Sequence, residues 1–511
     1  MKKEHRRGIP IPGRIITAGL LILLQVAFFA MVELSLSQWG TVIYRVVEVL
    51  AILLVITIIN KRDNPSYKLT WIIFILIAPL VGGVLFFLWG NVKVRPRLKK
   101  QMLIERRKNR VFLRQDIAAF SHLREKDVNH SRQSQFLYRE SGCPVYEDTD
   151  IEYLSPGETF FPRMLAELKN AEKYIFLEYF ILAKGTMWNQ IHSILREKAS
   201  EGVEIRIIFD DFGSISRQNK SFIKQLRNEG IKVIAFNRVR ASIDLLLNNR
   251  DHRKICVIDG YVSMTGGINI ADEYININSP HGYWLDSAVI LKGAATTTFA
   301  VAFCEMWNSI SRENIDPKNY IVENFPSAKG FVQPYVDNPL DTSHFPGEGI
   351  YRQILGSAKD YVYIATPYLV LDNTMTTAIT SAAKAGIDVR IITPKIKDKW
   401  YVHPVTQFNY QELLEAGVRI FEFTPGFIHS KTFVSDDDIA TCGTINMDYR
   451  SFYFHFECGV WFCGNDAVTD LKEHFLEIQA ASEEIKLECW SKRPMKKRIS
   501  QALLHVFAPF M

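Results

Sequence analysis

Cysteine is scarce. There are seven in 511 residues (Cys143, Cys256, Cys304, Cys442, Cys458, Cys463 and Cys489), an odd number, several inside apolar runs and none spaced as a metal-type pair. This excludes a disulfide scaffold and a cysteine-based metal centre, and it fits reduced core residues of a cytosolic region. No small-residue cleavage site follows the first apolar stretch, so a removable signal peptide is not expected. The chain also has no aromatic-basic module of the kind that binds single-stranded nucleic acid.

Against these absences stands a pattern that occurs twice. HxKxxxxD reads as His252, Lys254 and Asp259 in DHRKICVIDG, and as His429, Lys431 and Asp436 in IHSKTFVSDD. With only twelve histidines in the chain, one such match arises by chance at roughly a few in a hundred. Two matches with the same surroundings do not. Seventeen residues after each histidine lies an asparagine, Asn269 in TGGINIADEY and Asn446 in CGTINMDYRS. The segments read as short apolar strands in which residues two apart share a face, so imidazole and ammonium converge while Ile255 and Val257 face away. A phosphodiester-processing site needs a nucleophile, an acid for the departing alcohol and positive charge for the phosphoryl oxygens. Two such motifs supply all three.

The flanking sequence repeats as well. EKYIFLEYFILA answers KDYVYIATPYLVL, KASEGVEIRIIFD answers AAKAGIDVRIITP, and LRNEGIKVIAF answers LLEAGVRIFEF. Each series alternates apolar strands with a helix ending near glycine (Gly202, Gly386), which predicts an α/β fold of two similar domains with mostly central sheets flanked by helices. A pseudo-twofold arrangement would bring the two motifs face to face.

Together with FDDFGS, TPYLVLD and GTINMDYRSF, these motifs resemble the phospholipase D superfamily, and along nearly the whole chain they are similar to bacterial cardiolipin synthases. Two stretches depart from the family's pattern: His455 stands where asparagine is expected, and Trp284, Leu285, Asp286 and Ser287 stand for WRDT. The resemblance implies metal-independent, cofactor-free transfer of a phosphatidyl group from one phosphatidylglycerol to another, giving cardiolipin and glycerol. In it His252 attacks phosphorus to form a phosphohistidine, while His429 protonates the leaving oxygen and later activates the acceptor. Lys254, Lys431, Asn269 and Asn446 would hold the non-bridging oxygens. Asp259 and Asp436 are expected to orient rather than to react. A carboxylate should fix the tautomer of each imidazole, with Asp286 the candidate for the first copy and Glu457 for the second. The rivals are a phospholipase D in which water is the acceptor, a nuclease, and a catalytically silent membrane scaffold. A scaffold has no need of both histidines, both lysines and both asparagines. The oligomeric state is not legible.

Three apolar segments, about 15–36, 41–59 and 69–90, each approach the ~20 residues that cross a bilayer. They predict an α-helical, multi-pass anchor in the cell membrane over residues 1–92. Ten lysines and arginines between Val92 and Asp116, against Glu105 and Asp116 alone, read as a juxtamembrane linker (93–130) lying on anionic lipid headgroups. Basic residues want the amino terminus, the second loop and this run all on the cytoplasmic side. Segments one and two are therefore expected to span, while segment three, broken by Pro79, Gly82 and Gly83, enters and leaves from the cytoplasmic side or packs in the interface, leaving the catalytic domains cytoplasmic. The two domains are expected at 131–335 and 336–511. The second ends in a basic cluster (Lys492, Arg493, Lys496, Lys497, Arg498) and an apolar tail too short to cross. The expectation for this tail is contact with the membrane interface, the alternative being that it packs on the second domain.

Overall fold

In a computed structural model, the protein is described over residues 38–90, 94–214, 220–238, 249–311, 313–340 and 345–511. Eight strands form in the first half: β1 (Thr149–Leu154), β2 (Tyr174–Tyr179), β3 (Glu204–Asp210), β4 (Lys232–Phe236), β5 (Lys254–Ile258), β6 (Val262–Gly266), β7 (Tyr283–Leu285) and β8 (Ala288–Gly293). All but β7 make one sheet in the order β1-β8-β6-β5-β2-β3-β4, parallel through β2, β3 and β4 and antiparallel elsewhere. The second half supplies β9 (Phe331–Asp337), β10 (Tyr361–Ala365), β11 (Asp388–Pro394), β12 (Arg419–Phe423), β13 (Gly426–Ile428), β14 (Thr432–Ser435), β15 (Ile439–Gly443), β16 (Glu457–Cys463) and β17 (Ser482–Ile485). Its sheet runs β17-β12-β11-β10-β14-β15-β16-β9. Apart from the edge strand β17, the two orders correspond strand for strand, so the internal repeat is a repeated fold.

Strands such as YIFLEY in β2 and ECGVWFC in β16 are buried along their whole length, as strands covered on both faces must be. One face of each sheet meets the other half. Phe176, Val257, Val289 and Leu291 share a core with Ala440, Val460 and Phe462, together with the helix Thr296–Ile310. The outer faces carry amphipathic helices, Gly157–Lys169 and Thr186–Ser200 on the first sheet, Pro346–Ser357 and Asn373–Lys384 on the second. A two-stranded parallel pair joins the halves, with Tyr283 opposite Gly426 and Leu285 opposite Ile428.

Two expected boundaries move. β9 is a single strand of the second sheet, which places the junction before Phe331 and not at 335/336. The basic stretch is an ordered helix, Pro96–Asn109, that buries Met102, Glu105 and Asn109 while Glu105 bonds Asn308. The helix Val128–Ser141, divided by the sequence reading between the linker and the first domain, packs on the second, where Gln133 bonds Trp461 and Ser357.

Among the described residues no helix is long and apolar enough to cross a membrane. The first expected span, 15–36, lies outside them. The second corresponds to the helix Gln38–Ile59, which exposes Val46, Val49, Leu50, Leu53 and Ile56. The third is two helices, Pro65–Ile77 and Pro79–Trp89, broken at Ala78. Proline at 79 cannot continue the first helix. At Gly82 a Cβ would sit 2.6 Å from the Phe74 carbonyl, so only glycine allows the second helix to fold back so closely. This hairpin rests on the second half, with Tyr67 against Phe454, Trp71 against Phe510, and Asn64 donating to Asp372.

Candidate functional site

Each HxK segment is threaded beside a strand from the opposite half. The amide of His252 donates to the Phe456 carbonyl (2.9 Å), and the amide of His429 donates to the Leu285 carbonyl (2.7 Å). The next-but-one residue after Asp251's neighbour His252 is Lys254, where β5 begins, and Lys431 immediately precedes β14. Lys254 and Lys431 each donate to the carbonyl of their own histidine. Both histidines are 7% exposed, so the site is nearly enclosed by protein.

The crossing decides which carboxylate backs which imidazole. His252 Nδ1 lies 2.9 Å from both oxygens of Glu457, and His429 Nδ1 lies 2.6 Å from Asp286 Oδ2. The sequence had matched Asp286 with the first copy and Glu457 with the second; the fold exchanges them, because β7 and β16 run past the other half's histidine. With Nδ1 facing a carboxylate, each ring turns Nε2 away from it.

The two halves solve the support of these carboxylates differently. Thr444 donates to Glu457 Oε2, whereas the equivalent position of the first half is Gly267, where a Cβ would lie 2.0 Å from the Asp286 carboxylate. Asp286 takes an amide from Ser287 instead (2.8 Å). The asparagines also diverge. The Asn269 carboxamide is engaged on both sides, accepting from the Ile181 amide and donating to the Tyr274 hydroxyl, while Asn446 Oδ1 is buried without a hydrogen-bond partner.

Asp259 and Asp436 stand apart from this cluster. Five residues of strand separate Asp259 from Lys254, roughly 17 Å at ~3.3 Å per residue. Its carboxylate accepts the amides of Glu172, Lys173 and Tyr174, where β2 begins. Asp436 takes those of Lys359, Asp360 and Tyr361, where β10 begins. Both adopt φ of +54°. Both carboxylates cap turns at the starts of the neighbouring strands.

Burial dominates the electrostatics. It holds both imidazoles well below their usual 6.5, with Lys254 and Lys431 adding to the effect on each. It lowers Lys254 to about 8 and Lys431 to about 7, and raises Asp286 to about 7 against the pull of Lys431. Each motif's lysine acts on the other's histidine, so the four groups form a single field.

Residues 164–307 and 351–479 match the family described as cardiolipin synthase, phospholipase D-like domain, and residues 49–91 match a phospholipase D-nuclease amino-terminal family. The chain belongs to the cardiolipin synthase family. It is 34% identical to a cardiolipin synthase of Geobacillus kaustophilus over 91% of this chain and 92% of that one. A cardiolipin synthase of Alkalihalophilus pseudofirmus is 32% identical over 95% and 98%, and an uncharacterized protein of Streptococcus mutans is 38% identical over 89% and 99%. Among solved structures, a phosphatidylserine synthase of Haemophilus influenzae superposes with a TM-score of 0.55 at 14% identity, covering 75% of this chain and 98% of that one. This last likeness is one of fold.

Several neighbours of the site are not flagged by the motif. Asp210 seats the first histidine segment by accepting the Asp251 amide and pairing with Arg250 (3.1 Å); its signal was the acidic pair that ends β3. Tyr274 and Trp284 pack against His429, and Phe180 against His252. His455 lies 5.6 Å from His252, ring to ring, with Nδ1 3.6 Å from Glu457 and Nε2 accepting from Arg450. Burial pushes its imidazole down to about 3, so it is neutral at physiological pH. The donor atoms of His252, His455 and Glu457 lie within 4.8 Å of one another, close enough to hold a cation. Lys254 and Lys431 beside them make the site electropositive and better suited to an anion.

Proposed function

We propose that this protein is a cardiolipin synthase that joins two phosphatidylglycerols. The observation that carries this is the convergence of two His-Lys pairs, each imidazole backed by a carboxylate of the opposite half. The supporting context is 32–34% identity to cardiolipin synthases over nine-tenths of the chain.

His252 attacks phosphorus through Nε2, and the phosphorus–oxygen bond to glycerol breaks. His429 protonates the departing oxygen, leaving a phosphatidyl group on His252. A hydroxyl of the second phosphatidylglycerol then gives its proton to His429 and attacks, and the phosphorus–nitrogen bond breaks. Lys254, Lys431 and the carboxamide nitrogen of Asn446 donate to the non-bridging oxygens. The transferred bond's energy is kept in the intermediate, so no nucleotide is consumed. The division of labour follows from the carboxylates: Asp286, raised to about 7, lets the pair it forms with His429 keep a proton near neutrality, as an acid must. Membrane residence fits the apolar amino-terminal helices, with the catalytic halves on the cytoplasmic face.

This has a pH signature. His252 is held well below 6.5, so it stays unprotonated and nucleophilic into mildly acid conditions. Raising the pH through 7 to 8 removes the proton shared by Asp286 and His429 and that on Lys431, then that on Lys254. The kcat/KM profile should therefore be a bell centred on the acid side of neutrality, its limbs belonging to coupled groups. Activity that climbs through pH 8 would contradict the assignment.

The reaction itself is tested by giving the reconstituted protein phosphatidylglycerol alone and identifying products by mass spectrometry. Cardiolipin and glycerol in equal amounts are expected. Phosphatidic acid as the only lipid product would make water the acceptor.

A further inference from the structure

Where β11 ends, the chain enters a loop with three lysines in alternation: Lys395, Lys397 and Lys399. Lys399 points toward the catalytic centre: it donates to the Tyr368 hydroxyl (2.9 Å), whose ring faces Phe427, and its charge lowers both catalytic imidazoles. Lys395 and Lys397 line a separate cavity of about 500 Å³ with Ile396, Trp400, His403, Pro404, Gln407 and Lys497. Lys395 is paired with Glu483. Lys397 has no ion-pair partner among the described residues, and Lys497 lies over the face of Trp490 while its charge also acts on the Glu422 carboxyl. Both charges converge on His403, which is lowered to about 4 by burial and then by these two lysines. The cavity is thus a small basic pocket, and Trp400 stands 69% exposed on its rim.

The surface beside the pocket is apolar. The helix Met495–His505, which contributes Lys497, buries Gln501 against Gln407. Its outer side exposes Met495, Ile499 and Leu503, one stripe at intervals of four, continued by Phe507. Phe507 packs on Phe74 of the amino-terminal hairpin (5.7 Å), which exposes Leu76, Ile77 and Phe87 in turn. The tail therefore packs on the second half with one side, and with the other extends the hairpin's apolar surface. Apolar side chains edged by lysine and an exposed tryptophan are what a bilayer interface accepts.

We propose that the pocket between the 395–400 loop and the carboxyl-terminal helix binds the phosphate of an anionic phospholipid in the bilayer, outside the two-histidine centre, with Lys397 and Lys497 holding the headgroup and Trp400 at acyl-chain depth. This rests on the reading of the protein as one that works at a lipid surface. The loop that lines the pocket also carries Lys399, whose charge acts on both catalytic imidazoles. Anionic lipid would then be both reactant and docking ligand.

The test uses the full chain carrying His252→Ala, so that nothing turns over, in phosphatidylcholine nanodiscs doped with bromine-labelled lipid. The fluorescence lost on Trp400→Phe isolates the signal of Trp400. Brominated phosphatidylglycerol should quench it at least threefold more than brominated phosphatidylcholine at equal mole fraction. Lys397→Ala/Lys497→Ala should abolish that preference, and the charge-matched control Lys169→Ala/Lys384→Ala should retain it. Equal quenching by the two lipids, or a preference that survives loss of both pocket lysines, overturns the proposal. Because the readout needs no catalysis, failure of the synthase reading would appear in the product assay and leave this result standing.

Discussion

Replacing His252 with alanine should lower phosphatidyl transfer by at least ~10⁴-fold, since losing one member of a concerted catalytic set costs nearly as much as losing all of it. His429→Ala should be as severe with phosphatidylglycerol, and the double variant little worse than either. The two roles separate with an activated donor, a phosphatidyl ester of nitrophenol, whose leaving group needs no proton. On that substrate His429→Ala should still release a burst of nitrophenol equal to the enzyme present, because attack by His252 proceeds while an acid is dispensable. His252→Ala should show no burst. The reverse pattern would make His429 the nucleophile and exchange the functions of Asp286 and Glu457. A nucleophile backed by Glu457 and an acid backed by an Asp286 raised to about 7 are the physical basis for the expected order.

How much of this was legible in the sequence depended on whether the information was local. The strand periodicity put His252 and Lys254 on one face, and the repeated apolar series gave two similar halves, because burial on both faces imposes continuous hydrophobic runs wherever the strand lies. The pairing of carboxylates was not local. Asp286 follows β7 and Glu457 opens β16, and their sequence offsets carry no sign of the crossing that lays each beside the other half's histidine. Gly267 holds a legible trace of it after the fact: glycine in the first GGIN and threonine in the second GTIN mark two ways of accommodating a carboxylate. The domain boundary failed for the same reason. β9 belongs to a sheet whose other members lie later in the chain, and an edge strand has no local signature of the sheet it joins.

For Asp259 and Asp436 the information lies in the parity of the spacing. Each lies seven residues beyond its histidine, an odd offset that puts it on the other face of a strand with period two, past the strand's end. Each accepts three backbone amides at the start of the neighbouring strand, from a left-handed conformation that aspartate and asparagine tolerate better than alanine. Charged hydrogen bonds to amides contribute ~1.5–3 kcal/mol where buried, and these are partly exposed, so about 3 kcal/mol per site is expected once the turn's preference is included. Asp259→Ala and Asp436→Ala should each lower the unfolding midpoint by several degrees, with kcat per folded molecule changed less than about threefold. Asn should recover part of the loss, because it keeps the turn and one acceptor oxygen. A catalytic role would show the opposite: unchanged melting and a collapse of kcat in Asp→Asn. The spacing shared by the two HxKxxxxD copies would then be set at its two ends by different physics, chemistry at the histidine and lysine, and the closing of a strand turn at the aspartate.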